Sequence, residues 1–241
     1  MENNNNINNA VIYIGGVKGG TGKSFLSMLT LHYFITHNIT PTLLETDTCN
    51  PDVLKAYEHD DKCKILKYDI DDRDWFYEAF EQINNTIDAN EGPIVINSAA
   101  RNLATLQENG ESLNVIKNFT TLWPINTSRD CLNHINEFIK IVKHPICVIK
   151  NGNWGKEHNF KLFDESNFKQ RYNLQSVYLP VLLTKVRDLL YNDRLPYHLA
   201  LEKLQIITRA GAQKQVAQML QVIDTALRIA QPIPEIADAD K

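Results

Sequence analysis

The sequence lacks the features that mark several protein classes. Its four cysteines, Cys49, Cys63, Cys131 and Cys147, never fall at C-x-x-C spacing. That argues against a zinc ribbon, an iron–sulfur cluster or a disulfide framework, and fits a reducing cytosol. No apolar stretch approaches the roughly 18 residues needed to span a bilayer. The N-terminus, Met1 followed by asparagines at 3–6, 8 and 9, is not a secretory signal. No Pro/Gly/Ser-rich or charge-rich run interrupts the middle of the chain, so nothing there reads as a linker. Charge of one sign is also missing. The formal net charge is −4, so any nucleic-acid site would have to be a local patch. The expectation is a soluble, cytoplasmic protein with no membrane attachment.

What is present is enough for one large core: 241 residues, 43% of them hydrophobic. A single domain is expected over residues 10–230. An Asn-rich start (residues 1–9) and a tail at 231–241, with Pro232, Pro234, Asp238 and Asp240, are expected to be disordered.

Short β-branched runs alternate with longer helical segments. Strands are predicted at Val11–Ile14, Thr42–Thr46, Lys64–Tyr68, Pro93–Asn97, Thr121–Ile125, Ile146–Ile149 and Val177–Val181. Helices are predicted at Phe25–Phe34, Asp74–Ile87, Leu103–Lys117, Leu132–Val142 and Arg209–Ile229. The last carries a stripe of Ala212, Val216, Met219, Leu220, Ile223 and Leu227 that would pack one face on the body. This alternation implies βαβ crossovers and a doubly wound, mostly parallel α/β sheet with helices on both faces.

Of ten glycines, five fall between 15 and 22, between the first strand and the first helix. Glycines there let successive backbone N–H groups curl around phosphate oxygens, and the helix N-terminus adds partial positive charge. Lys23 would neutralise the β/γ-phosphates and Ser24 would place its hydroxyl on Mg²⁺. The strict phosphate-loop pattern would need glycine at 17, where this chain has Val17. It carries instead a second lysine, Lys18.

The segment Lys18-Gly19-Gly20-Thr21-Gly22-Lys23-Ser24 resembles the deviant Walker A motif of ParA/MinD-type (SIMIBI) ATPases, most like their plasmid mobilisation and partition members. The likeness runs from about Val11 to Leu201. It implies ATP and Mg²⁺ as cofactors and nucleotide contacts from Gly19 to Phe25. It further implies a homodimer formed on ATP binding, in which Lys18 reaches the nucleotide of the other subunit. Glu45 and Asp47 match the acid pair after the family's second strand, Asp47 orienting the attacking water and Glu45 lying near the magnesium shell, both through water. Asn50 falls in the first switch. In the second switch, Asn97 stands where the family has aspartate, and Arg101 follows. That departure implies weaker magnesium dependence or slow hydrolysis. Asn151 matches a strand-end asparagine that reads adenine, and Pro180 and Val181 match a loop that sandwiches the base. The resemblance also implies an activating partner protein. A local excess of basic residues between Lys185 and Lys214 falls where non-specific DNA contacts occur in ParA-like proteins. Two other readings stand beside the ATP-driven switch: a nucleotide-gated scaffold with little hydrolysis, and a metabolic enzyme of the dethiobiotin-synthetase type, in whose chemistry Lys18 has no role.

Overall fold

Runs such as Val-Ile-Tyr-Ile and Ile-Val-Ile-Asn offer apolar side chains to both sides of a strand, and such strands are stable only when both faces are covered. The computed structural model, which describes residues 7–16, 18–100 and 103–234, places them at the centre of a seven-stranded sheet. β1 (Val11–Ile14), β2 (Thr42–Glu45) and β4 (Ile94–Asn97) are buried at every position. β5 (Phe119–Ile125) and β6 (Ile146–Asn151) follow. At the edges lie β3 (Lys64–Lys67), whose terminal lysines are exposed, and β7 (Gln175–Leu179). The order is β3-β2-β4-β1-β5-β6-β7 and every pairing is parallel.

The helices are α1 (Lys23–Thr36), α2 (Asp52–Tyr57), α3 (Arg73–Asp88), α4 (Leu103–Asn109), α5 (Arg129–Ile139), α6 (Lys161–Asp164), α7 (Asn167–Arg171), α8 (Thr184–Tyr191), α9 (Tyr197–Glu202) and α10 (Ile206–Ile229). Alternation along each strand splits the core in two. Ile12, Ile14, Leu43, Val95, Leu122 and Ile149 face α1 and α10. Val11, Tyr13, Leu44, Ile96, Trp123 and Val148 face α3 and α5. Residues 25–34 of α1 are all buried, as expected of a helix apolar around its whole circumference. α10 seats Ala212, Val216, Met219, Ile223 and Ala226 in the core, with Leu220 and Leu227 partly buried beside them.

Two differences from the sequence expectations have local causes. The helix expected over Leu103–Lys117 ends at Asn109 and continues as a 3₁₀ turn, Gly110–Val115. A Cβ at Gly110 would sit 2.5 Å from Ile141 Cγ2, so the chain presses here against the segment after α5. α2 and α6 to α9 were not anticipated, since four to eight residues are too few to show periodicity. At the ends, Ile7 is half-buried against the core and the Gln231 carbonyl accepts from Ile146 N at 3.0 Å. The expectations for residues 1–6, Val17, Arg101 and 235–241 lie outside the described residues.

β1 is flanked by β4 on one side and β5 on the other, and the chain reverses its direction of travel across the sheet between them. In open α/β sheets a ligand crevice forms at this switch point, beyond the C-terminal ends of the strands.

Candidate functional site

The loop from β1 to α1 occupies that crevice. Gly15 extends the ladder by donating to Leu122 O at 3.1 Å. A Cβ on Gly15 would lie 2.5 Å from Trp123 Cε3, so this glycine answers to the β5 side chain beside it. Gly22 caps α1 with φ +102°, a region that favours glycine. A Cβ there would meet Asn151 Nδ2 at 2.3 Å. Asn151, the last residue of β6, donates from Nδ2 to Thr21 O at 2.8 Å and accepts at Oδ1 from Asn153 N at 3.1 Å. The residue expected to read adenine is therefore also a strut under the loop. One amide hydrogen remains for a base.

Lys18 O accepts from both Thr21 Oγ1 and Lys23 Nζ, each at 3.3 Å. Lys23 is 7% exposed. Burial lowers its pKa to about 8, opposed by the nearby charge of Asp47. A buried ammonium whose hydrogen-bond partner is a neutral carbonyl, at the positive end of a 14-residue helix, fits an anion such as a phosphate. Among the described residues nothing lies within 4 Å of a Cβ at Gly19 or Gly20, so they leave the backbone there open to close approach. Ser24, half-buried, follows on the first turn.

The facing wall comes from the ends of β2 and β4. Glu45 is fully buried. Its Oε1 accepts from Asn97 Nδ2 at 2.7 Å and Asp47 N at 3.0 Å, and its Oε2 from Leu54 N at 3.2 Å. Burial pushes Glu45 up to about 7, while those three donors pull it down. Asn97 is also buried, its Oδ1 accepting from Ser27 Oγ at 2.8 Å. Thr46 Oγ1 donates to Asn97 O at 2.8 Å, and Ser98 Oγ to Ile14 O at 2.7 Å. Asp47, half-buried, holds Asn50 N at 2.9 Å in a turn.

Lys18 turns outward. Its Nζ lies 3.0 Å from Asp130 Oδ2 and 3.5 Å from Ser128 Oγ, at the start of α5. The hydrogen bond to Asp130 raises the Lys18 pKa and lowers that of Asp130. Phe25 points into the core, with its ring 6.2 Å from Tyr197. Val181 is 45% exposed in the loop after β7, beside half-buried Pro180. Of the basic residues expected to form a patch, Lys203 pairs with Asp193 at 3.7 Å, and Arg209 folds its guanidinium onto Leu204 O and Glu202 O.

The loop, Glu45, Asp47, Asn97 and Asn151 thus share one edge of the sheet. Sequence reasoning missed Ser27, which the i+4 spacing from Lys23 could have flagged, and Asp130, for which no local signal exists.

No family profile matches the chain. A curated relative, protein MobD of Acidithiobacillus ferrooxidans, is 34% identical over 211 residues, covering 83% of this chain and 90% of that protein. Among solved structures, MinD of Pyrococcus horikoshii with Mg-ADP superposes with TM-score 0.56 at 12% identity, covering 90% of this chain and 98% of that one. The MinC:MinD complex of Aquifex aeolicus gives 0.54 at 14%, covering 95% and 98%. These likenesses show the fold. The relative's identity and coverage show that the chain belongs to the family of protein MobD, on the fold it shares with MinD.

Proposed function

We propose that this protein is an ATP-driven dimeric switch acting in the cytoplasm in plasmid mobilisation or partition. The observation that carries the reading is Lys23: a buried cation at a helix N-terminus, bonded to a neutral carbonyl, with the carboxylates of Glu45 and Asp47 across the crevice. Residues 18–24 would hold the triphosphate. Ser24 would hold Mg²⁺ directly and Glu45 and Asp47 through water, and the ion would neutralise charge developing on the β/γ-oxygens. Asp47 would orient a water against the γ-phosphate. Asn151, Pro180 and Val181 would hold the base.

Lys18 supports the dimeric form. Its side chain is bonded to Asp130 on the surface rather than to its own loop, and a solvent-exposed ion pair is weak enough to exchange. A phosphate oxygen of a second copy would replace Asp130. The MinC:MinD complex is a precedent for a partner protein bound to this fold. Non-specific DNA draws no support from the basic region, where Lys203 and Arg209 already have internal partners.

Light scattering with no nucleotide, with ADP and with Mg-ATP tests the reading. Mass should double only with Mg-ATP, and Lys18→Ala should bind ATP as the parent does yet stay monomeric. An unchanged mass in all three conditions would remove the dimeric switch. Doubling with background turnover would favour a nucleotide-gated scaffold.

A further inference from the structure

We infer that Asn97 is a positioning residue, and that Glu45 supplies the negative charge which the end of β4 lacks. The inference rests on the nucleotide reading above. Glu45 and Asn97 are paired in register on the last rung shared by β2 and β4, so an acid on either strand would place its charge in nearly the same spot. The two side chains touch, Nδ2 to Oε1, at 2.7 Å.

The surrounding donors settle which partner is charged. Both oxygens of Glu45 receive N–H groups: Asn97 Nδ2 and Asp47 N at one, Leu54 N at the other. This donor set fits a carboxylate, since an amide would turn its own NH₂ against a donor. Asn97 must then be neutral. A second carboxylate at this distance would oppose the first, and two buried acids in contact cannot both ionise cheaply.

Ser27 Oγ, one turn along α1 from Lys23, donates to Asn97 Oδ1 at 2.8 Å. That bond turns the amide nitrogen toward Glu45, and the opposite flip would set Oδ1 against the carboxylate. The chain Ser27–Asn97–Glu45 thus ties the phosphate-loop helix to the strand end facing it. The asparagine does not remove an acid from the site; it accommodates the acid one strand over.

The test exchanges the pair. Asn97→Asp, Glu45→Gln and the double exchange are compared by thermal melting and by titration of a fluorescent ATP analogue with and without Mg²⁺. Asn97→Asp should lower the melting temperature by about 5 °C or more without strengthening the Mg²⁺ enhancement of binding. Glu45→Gln should reduce that enhancement about tenfold or more. The double exchange again has one acid, one amide and a donor facing an acceptor across the pair, but the amide at 45 still turns its NH₂ against Asp47 N or Leu54 N. Its losses in both readouts should therefore be smaller than the sum of the two singles, without full return to the parent. If Asn97→Asp does not fold, recovery of folding in the double exchange carries the same meaning. Three results would overturn the inference: an Asn97→Asp protein with stronger Mg²⁺ enhancement and an unchanged melting point, a Glu45→Gln protein with parental enhancement, or a double whose losses are the sum of the singles. Binding of the analogue in EDTA reads the phosphate loop separately. A parent protein that fails to bind there overturns the nucleotide reading, while the melting cycle still decides the pairing.

Discussion

A Lys23→Met variant is expected to bind ATP about a hundredfold more weakly than the parent, or worse, yet to melt no lower at pH 7. The affinity loss follows from removing charge-assisted hydrogen bonds to phosphate, at about 1.5–3 kcal/mol each, and each 1.4 kcal/mol is about tenfold in binding. The stability result has the opposite sign because of what Lys23 does in the protein alone. Burial holds its ammonium at a pKa of about 8, against the ordinary 10.5. Keeping it charged at neutral pH therefore costs the fold about 3 kcal/mol. Methionine keeps the stem and sheds that charge. The lost bond to Lys18 O is covered in part by Thr21 Oγ1, which donates to the same carbonyl. Calorimetric titration and thermal melts measure the two effects. An affinity within fivefold of the parent would refute the assignment of Lys23 to the phosphates.

The same residue sets an alkaline limit. Between pH 8 and 10.5 the unfolded chain holds more protons at Lys23 than the folded chain does. Its unfavourable contribution to stability is thus complete below pH 8 and fades as pH rises toward 10.5. Phosphate would restore the proton, so ATP affinity should fall by roughly tenfold for each pH unit above 8. Lys23→Met should show no such limb. On the acid side, Glu45 takes up its proton as pH falls through about 7, and Mg²⁺-supported binding should weaken there. Affinity for Mg-ATP is therefore expected to peak between those two values. A flat profile up to pH 10 would mean that Lys23 does not meet the phosphates.

The framework of this fold was legible because its central strands are short, apolar and buried on both faces, and because β1, a glycine cluster and a helix stand in immediate succession. Lys23, Asp47 and Asn151 could be placed at the crevice for the same reason: each sits at or beside the end of an easily read strand or opens an easily read helix, and Lys18 lies in the loop between. The rest depends on lateral neighbours. Nothing along the chain says that β2 lies beside β4, so the contact that explains Asn97 could not be seen until the strand order placed Glu45 on its rung. The Lys18–Asp130 pair spans 112 residues, a separation over which no periodicity carries information. The segment between β6 and β7 was unread because its helices are four and five residues long. Their order comes in part from Lys150, a buried lysine that reaches both Glu157 and Asp164.

Glycine in a phosphate loop invites a single explanation, and Gly15 is where that explanation fails. Trp123 is 2% exposed, with its ring 4.7 Å from that of Phe138, so it has no room to swing away. A Cβ on Gly15 would stand 2.5 Å and 2.8 Å from two of its ring carbons. Gly15→Ala is expected to destabilise by about 1–3 kcal/mol through overpacking. Trp123→Ala should destabilise by about 3–5 kcal/mol through the cavity it leaves, a fall of roughly 6–20 °C for a chain of this size. In the double variant the new methyl enters space that the indole vacated. Adding Gly15→Ala to Trp123→Ala should therefore be neutral or stabilising, with a coupling of about 1–3 kcal/mol between the two sites. Equal destabilisation by Gly15→Ala in both backgrounds would show that the contact does not govern the residue. ATP titration of the same four proteins separates the two possible reasons for the glycine. If Gly15 serves the phosphates directly, the affinity loss in Gly15→Ala persists when Trp123 is removed. If it serves Trp123, the loss arises from a loop pushed off its strand end, and it disappears in the Trp123→Ala background.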